Sequence, residues 1–234
     1  MGSERHIVAW GGTKSGEPKD NAPMLSYMLK LARQERPRVL IMGPGADETL
    51  QGYHYFTLFA QFDCRVTHLS LFKAPTADLE GFVMERDLVY VGGGNTKCMM
   101  ALWREFGMDR ILKKAWKEGV VLSGVSAGAI CWFEQCLSDS IPSEMTPLKT
   151  VGILEGSAVP HYDSRPDAPA ALQQYVKSGE LKAGYAIEDE VALHFTGTEL
   201  AEVVTLKKGQ AAYRFGLSEG TVRMERLEPV MLGL

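Results

Sequence analysis

Residues 120–133, VVLSGVSAGAICWF, combine the signals of a buried strand, a sharp turn and a helix. The apolar run at residues 120–122 predicts the strand, and the helix is expected to continue through Phe133. Between them, Gly-Val-Ser-Ala-Gly has the spacing G-x-S-x-G, which is typical of a serine on a strained strand-to-helix bend. Ser126 would project into solvent beside free backbone N–H groups, which suit a negative charge on a substrate oxygen. The pattern makes Ser126 a candidate nucleophile, and a tight turn of small residues is the alternative.

Apolar strand-like runs alternate with helix-like segments through roughly the first 135 residues. In addition to the strand before Ser126, the expected strands are residues 6–10, 38–42, 65–72 and 88–91. From residue 184 onward strand follows strand, with turns at glycine. The sequence therefore predicts an α/β fold with a mostly parallel, doubly wound sheet and helices on both faces. C-terminal antiparallel β-hairpins should finish this sheet or form a second one, and we expect residues 1–234 to be a single domain.

The composition limits the partners that the protein can have. The 25 Lys and Arg residues against 29 Asp and Glu residues give a net charge of -4, and no basic run suggests a nucleic-acid partner. No segment approaches the ~20 apolar residues that span a bilayer, and the N-terminal sequence lacks an apolar signal core. We therefore expect a cytoplasmic protein with no membrane partner, and no zinc site, other metal or cofactor. The cysteines lack C-x-x-C spacing and are expected to be reduced: Cys64, Cys98, Cys131 and Cys136.

A glycine-rich loop, GGGNT at residues 92–96, follows the expected strand at residues 88–91. Backbone amides in such a loop can approach a phosphate or an oxyanion without obstruction by side chains. No Gly-Lys-Ser/Thr follows the glycines, so a nucleotide-binding loop is disfavoured. A serine nucleophile needs two donors for its oxyanion, and the Ala127 amide and a glycine amide of this loop could supply them. The alternative is a glycine turn that only lets helix and strand pack closely.

A serine nucleophile also needs a base, and five histidines are available. His6 begins a strand, His54 lies in a helix and His68 lies within a strand, and none of these positions requires a catalytic role. His161 belongs to Pro-His-Tyr-Asp at the end of an expected strand, a usual location for a catalytic side chain. His194 lies inside the alternating strand VALHF and is expected to be half buried. His161 is therefore the favoured base, with His194 as the alternative.

Four motifs together resemble the peptidase E family, the aspartyl dipeptidases that are grouped with cyanophycinases. They occur in the family's order and spacing between about Gly11 and Leu193: VGGGNT at 91–96, GVSAGA at 124–129, PHYD at 160–163 and GYAIEDEVAL at 184–193. The resemblance implies a glutamine-amidotransferase-like α/β fold. It also implies a metal-independent serine peptidase that acts on short peptides.

The same resemblance assigns roles to individual residues. The family's nucleophile falls on Ser126, its base on His161 and its oxyanion donors on Gly94 and Ala127. The third member of its triad, a glutamate in much of the family, falls on Asp189. This departure from glutamate shortens the side chain by one methylene group, so Asp189 must start about 1 Å closer to His161.

The residues themselves also favour Asp189 among its neighbours. If residues 187–191 are extended, Asp189 shares one face with apolar residues while Glu188 and Glu190 point to the other. Apolar cover would strengthen the bond between the carboxylate and His161. Asp163, in the loop that follows His161, is a nearby rival for this role.

Substrate specificity is the property that the sequence determines least. The resemblance suggests substrates with an acidic N-terminal residue, Asp-Xaa, which require a cation in the site. Arg165 is the candidate cation, although a solvated loop arginine is an equal alternative; Asn95 and Asp163 are further candidates for substrate binding. We expect a monomer or a homodimer.

Two other functions remain open at this point. One is a non-catalytic module that binds a small molecule on the same flavodoxin-like fold, with Ser126 a turn residue only. The other is an α/β-hydrolase-type esterase in which His194 is the base. It is weakened because no HGGG-type loop precedes Ser126 and little chain follows it.

Overall fold

The computed structural model describes residues 4–32, 34–43, 45, 48–141 and 144–233. The strands, in chain order, are β1 (His6–Trp10), β2 (Arg38–Met42), β3 (Arg65–Leu69), β4 (Leu88–Val91), β5 (Val121–Val125), β6 (Phe133–Ile141), β7 (Glu144–Lys149), β8 (Leu154–Val159), β9 (Gly184–Ile187), β10 (Val191–Thr196), β11 (Glu199–Thr205), β12 (Ala212–Ser218), β13 (Thr221–Leu227) and β14 (Val230–Met231). The helices are α1 (Pro18–Leu31), α2 (Glu48–Phe59), α3 (Leu79–Met84), α4 (Thr96–Phe106), α5 (Met108–Lys117), α6 (Ala127–Ile130) and α7 (Ala168–Ser178).

Within the described ranges, the larger of two sheets has eight strands in the order β14-β11-β10-β1-β5-β4-β2-β3. Its strands β1, β5, β4, β2 and β3 run parallel. Strands β10 and β11 extend it in antiparallel fashion beyond β1. The central parallel strands are almost continuously apolar because both of their faces are covered. The predicted mostly parallel, doubly wound sheet is therefore confirmed.

Side-chain alternation along β1 connects this sheet to two cores. Ile7 and Ala9 pack into a core with helices α3, α4 and α5 and with the smaller sheet. Val8 and Trp10 point to the opposite face and pack with α1 and α2. All four residues are fully buried, as expected for a strand whose successive side chains alternate between two covered faces. Strand β1 is thereby fixed in the centre of the molecule, and so is the loop that follows it.

The smaller sheet has six strands among the described residues, in the order β13-β12-β9-β8-β6-β7. Strands β6, β8 and β9 are parallel to one another, whereas β7, β12 and β13 pair in antiparallel fashion. Helix α7 covers the face of this sheet that points away from the larger one. Both outcomes expected for the C-terminal strands occur, because β10 and β11 extend the larger sheet while β12 and β13 complete the smaller one.

The expected helix through Phe133 is wrong. Helix α6 spans only four residues, and Phe133 begins β6. Its ring packs 5.8 Å, between centroids, from the ring of Phe195, and the Trp132 ring lies 6.1 Å from that of Trp103. The first of these contacts joins the two sheets and the second joins this segment to α4, and such tertiary packing overrides the helical appearance of the local sequence.

The topology brings three strand ends together. Strands β1, β5 and β4 are adjacent and parallel, so the residues that follow them lie side by side at one edge of the sheet. Ligands of open α/β sheets bind at this edge. No helix in the described part of the chain is long and apolar enough to cross a membrane.

Candidate active site

Ser126 stands on the bend between β5 and α6, with φ 57° and ψ −115°. Its backbone N–H donates to the Trp10 carbonyl at 2.9 Å, which ties the bend to β1. The turn is possible because its flanking glycines lie against β4: a Cβ on Gly128 would be 2.0 Å from the Val91 carbonyl oxygen, and one on Gly124 would be 2.5 Å from the same atom. A positive φ at a serine is strained and persists only where the surroundings impose it. The G-x-S-x-G spacing therefore has a steric cause here.

Ser126, His161 and Asp189 form a continuous line of hydrogen bonds. Ser126 Oγ lies 2.8 Å from His161 Nε2, and His161 Nδ1 lies 2.6 Å from Asp189 Oδ1. His161 follows β8 and has a φ of 54°, while Asp189 lies in the link between β9 and β10. An ionised Asp189 accepts only, so His161 Nδ1 carries the hydrogen and Nε2 can accept from the serine hydroxyl.

The environment of Asp189 keeps its carboxylate charged. Burial alone would raise the pKa of Asp189, but the hydrogen bond with His161 and a smaller one with Ser164 outweigh it, so the pKa lies below its usual value. The Asp189 side chain is 5% exposed, against 26% for His161. The acid is thus covered by protein, while part of the imidazole remains exposed to solvent.

The expected extended conformation around Asp189 is wrong, although the structure does place Asp189 beside His161. Strand β9 ends at Ile187, and Asp189 lies in a turn. Glu188 accepts hydrogen bonds from the Ala211 amide at 2.8 Å and from Tyr213 Oη at 3.1 Å. Glu190 has a φ of 67° and accepts from the Lys14 amide at 2.6 Å. Both glutamates are engaged elsewhere because the turn, not strand alternation, directs the three side chains apart.

Gly12, which the sequence analysis did not single out, covers the bond between His161 and Asp189. A Cβ built on Gly12 would lie 2.1 Å from Asp189 Oδ1 and 2.3 Å from His161 Nδ1. The Gly12 carbonyl accepts from the Glu190 amide at 2.8 Å, which holds the backbone in this position. The only sequence signal was a glycine pair directly after β1.

The backbone amides of Gly94 and Ala127 have no acceptor among the described residues, and both residues line a pocket with Ser126 and His161. Three neighbouring amides of the glycine loop donate to protein groups: Gly92 to Met42 O, Gly93 to Tyr55 Oη and Asn95 to Gly45 O. Gly94 has a φ of 130°, and a Cβ there would lie 2.3 Å from Gly45 O. The loop thus leaves one amide available near Ser126, and the bend leaves a second.

Two of the three candidate substrate-binding side chains form hydrogen bonds with neighbouring backbone groups. Asn95 Oδ1 accepts from the Cys98 amide at 2.9 Å and so caps α4, and its Nδ2 donates to the Ser140 carbonyl. Asp163 Oδ1 accepts from the Asp189 amide at 2.8 Å. Their polar atoms therefore serve the local structure.

Arg165, the third candidate, lines the pocket next to Ser126. Its guanidinium forms an ion pair with Asp139 at the pocket rim. The other walls of the pocket include apolar side chains from α6 and the smaller sheet: Ile130, Leu137 and Met145. A cation is present at the pocket, but it already has a carboxylate partner.

His194, the alternative base, lies away from Ser126. It is buried on β10, with Nε2 3.0 Å from His6 Nδ1 and Nδ1 2.6 Å from Tyr27 Oη. Burial, and then the neighbouring His6, lower the pKa of His194 to about 4. The structure brings His161 to the serine and leaves His194 buried in a separate hydrogen-bond network with His6 and Tyr27. The described ranges contain no group of three or more His, Cys, Asp or Glu residues that could hold a metal ion.

Comparisons with known proteins identify the family and the fold. Residues 7–203 match the model of Peptidase family S51. The chain is 43% identical over 217 residues to "Uncharacterized peptidase YgaJ" of Bacillus subtilis (strain 168), an alignment that covers 92% of this chain and 94% of the relative. Its fold is similar to the crystal structure of a peptidase from an acI-B1 Actinobacterium, with a TM-score of 0.76 at 16% identity, covering 98% of this chain and 96% of that one.

The family match extends from β1 into β11 and so includes every residue of the serine, histidine and aspartate arrangement. The relative from Bacillus subtilis aligns over nearly the whole of both chains. This chain therefore belongs to peptidase family S51, the peptidase E family, and is a serine-type peptidase.

Proposed function

We propose that this peptidase hydrolyses short peptides through a covalent acyl-enzyme, with Ser126 as nucleophile, His161 as base and Asp189 as the acid that orients His161. The observation that carries the proposal is the unbroken line of hydrogen bonds, 2.8 Å and 2.6 Å long, that joins the three side chains. A serine hydroxyl is a weak nucleophile unless a base takes its proton, and this line places the base within reach.

The reaction follows from these positions. Ser126 Oγ attacks the scissile carbonyl carbon while His161 Nε2 takes the hydroxyl proton. The Gly94 and Ala127 amides donate to the oxyanion, an interaction worth roughly 3 kcal/mol per donor in related sites. His161 then gives its proton to the leaving amine, and the acyl group stays on Ser126. Water, deprotonated by His161, releases the acid and restores the serine.

Asp189 acts through His161. Its charge stabilises the imidazolium that forms during each step, and its hydrogen bond keeps Nε2 as the acceptor. The proposal extends to one domain for residues 1–234, because Ser126 follows a strand of the larger sheet and His161 a strand of the smaller one.

For the substrate we propose short peptides that include Asp-Xaa, with Arg165 as the cation that meets the acidic side chain. The support is the position of Arg165 on the pocket that also contains Ser126 and His161. An acidic substrate side chain must either share Arg165 with Asp139 or displace Asp139 from it. The preference for substrates with an acidic first residue should therefore be moderate.

A dipeptide panel with acidic, neutral and basic first residues tests this proposal directly. Wild-type enzyme should hydrolyse members of the panel and react with a fluorophosphonate at Ser126, whereas Ser126→Ala should do neither. Ser178→Ala, which changes a surface serine at the end of α7, is the matched control. Arg165→Ala should lower hydrolysis of Asp-Xaa selectively. A wild-type enzyme that cleaves no dipeptide and resists the fluorophosphonate would overturn the proposal.

A further inference from the structure

A cluster of polar side chains contacts Asp189 in addition to His161. Its members are Lys14, Asp163 and Gln210, which come from three distant segments of the chain. Lys14 lies in the loop after β1, Asp163 in the loop after β8, and Gln210 just before β12.

Asp163 and Gln210 hold the backbone of Asp189. Asp163 Oδ1 accepts from the Asp189 amide at 2.8 Å, and Gln210 Nε2 donates to the Asp189 carbonyl at 3.2 Å. Gln210 Nε2 also donates to Asp163 Oδ2 at 2.8 Å, which joins the two contacts into one unit. The Asp163 side chain is only 17% exposed. These bonds define where the Asp189 side chain begins, and therefore where its carboxylate meets His161.

Lys14 lies between the two carboxylates. Its Nζ is 2.8 Å from Asp163 Oδ2 and 3.7 Å from Asp189 Oδ2, the oxygen that does not contact His161. Burial alone would raise the pKa of Asp163, but bonds from Lys14, the Asp189 amide and Gln210 outweigh it and lower that pKa. The hydrogen bond with Asp163 in turn raises the pKa of Lys14. Two carboxylates and one ammonium group thus leave a single net negative charge beside His161.

Two other charged groups lie near this unit. Burial raises the pKa of Glu190 and the charge of Asp189 adds to that effect, while the hydrogen bond from the Lys14 amide and the charges of Lys14 and Lys207 oppose it. Arg165, in the loop that contains His161, is paired with Asp139. Lys14 and Asp163 are therefore the pair whose charges can be changed with the most direct effect on Asp189.

We propose that Asp163 and Lys14 are positioning residues for the catalytic group: Asp163 fixes the place of Asp189, and Lys14 offsets the second carboxylate so that His161 experiences one negative charge. This inference rests on the proposed roles of Ser126, His161 and Asp189. The inference explains why the exposed Lys14 and a second aspartate, Asp163, lie beside Asp189, which already has His161 as its partner.

The proposal predicts opposite effects on the pH profile. Lys14→Met leaves two carboxylates near His161, which favours the imidazolium, so the acid limb of the activity profile should move up by about half a pH unit. Asp163→Asn leaves the ammonium group beside Asp189, so the limb should move down by a similar amount. Lys14→Met combined with Asp163→Asn should return the midpoint to the wild-type position. Loss of packing alone would lower the rate without shifts of opposite sign.

The measurement is the rate of fluorophosphonate labelling of Ser126 between about pH 5 and pH 9, which follows the protonation of the base without a known substrate. Lys19→Met removes an exposed charge from α1 and should leave the midpoint unchanged. Lys14→Arg should retain the wild-type midpoint. Lys14→Glu should move the midpoint to a higher pH than Lys14→Met does. Because the Lys14 side chain is 49% exposed, the Lys14 variants should fold, and they test the proposal even if Asp163→Asn does not fold.

The outcomes separate the two proposals. If wild-type Ser126 is not labelled, the proposed function fails and this inference with it. If Ser126 is labelled and the Lys14 variants keep the wild-type midpoint, or the Lys14 and Asp163 variants move it in the same direction, only the positioning role is overturned.

Discussion

Gly12→Ala should disable the enzyme without unfolding it. The added methyl group would lie 2.1 Å from Asp189 Oδ1 and 2.3 Å from His161 Nδ1, the two atoms that share a 2.6 Å hydrogen bond. Neither distance is compatible with van der Waals contact. The φ of Gly12 is not in the left-handed region, so alanine can adopt the backbone and the effect is steric.

The magnitude follows from the displacement that is needed. The two polar atoms must move about 1 Å to reach ordinary contact distance, and misplacement on that scale costs about 10²-fold in rate. Complete loss of the orienting acid costs about 10⁴-fold in serine triads. We therefore expect kcat to fall by about 10²- to 10⁴-fold, with a loss of about 1–3 kcal/mol in the free energy of unfolding from overpacking.

The assay is dipeptide hydrolysis together with urea unfolding. Gly16→Ala is the matched control, because a Cβ there meets nothing within 4 Å, and it should behave as wild type in both measurements. If Gly12→Ala folds and retains wild-type kcat, the bond between His161 and Asp189 is not needed for catalysis and the reasoning is refuted.

Three further predictions concern the acid, a buried histidine and metals. Asp189→Asn should lower kcat by about 10³- to 10⁴-fold with folding intact, while Glu188→Gln and Glu190→Gln should lower it much less. A greater loss of kcat at either glutamate would contradict the assignment of Asp189 as the acid that orients His161. The pKa of His194 is lowered to about 4 in the folded protein, whereas histidine in the unfolded chain titrates at about pH 6.5. As the pH falls, the unfolded chain therefore takes up a proton on His194 before the folded protein does. The free energy of unfolding should consequently decline from pH 7 to pH 4 by up to about 3 kcal/mol. Urea titrations of His194→Gln should show a smaller decline in the free energy of unfolding over this pH range than wild type. A decline equal to that of wild type would show that His194 is not its cause. Hydrolysis should persist after treatment with a chelator, since the described residues contain no metal-binding cluster; a loss that zinc reverses would contradict the proposed mechanism.

The central strands could be predicted because they are buried on both faces. Strands β1, β2 and β4 have the expected bounds, since a continuous apolar run of this length admits few other structures. Strands β6 and β7 were not predicted. Their residues mix buried apolar positions with partly exposed polar ones, so neither a continuous apolar run nor a strict alternation marks them, although the two strands pair with each other and β6 also pairs with β8.

The site was predictable only where a local motif carries it. Ser126 sits in a five-residue pattern with a steric cause, and His161 in a short segment at a strand end. Asp189 was reached partly through an expected strand that is in fact a turn. Gly12 carries only the weak signal of a glycine pair after β1 and Lys14 carries none, because their contacts reach across the fold: the bond from the Lys14 amide to Glu190 joins residues 176 positions apart.

Ser126, His161 and Asp189 come from different parts of the two sheets, and this has a consequence for how the molecule unfolds. Ser126 follows a strand of the larger sheet, His161 follows one of the smaller sheet, and Asp189 lies on the link between them. If the smaller sheet separates first, the serine keeps its bend but loses its base. Local opening of this kind precedes global unfolding in many proteins. With the roles proposed for these residues, a molecule opened in this way would lose its activity before its own backbone became an extended, cleavable peptide.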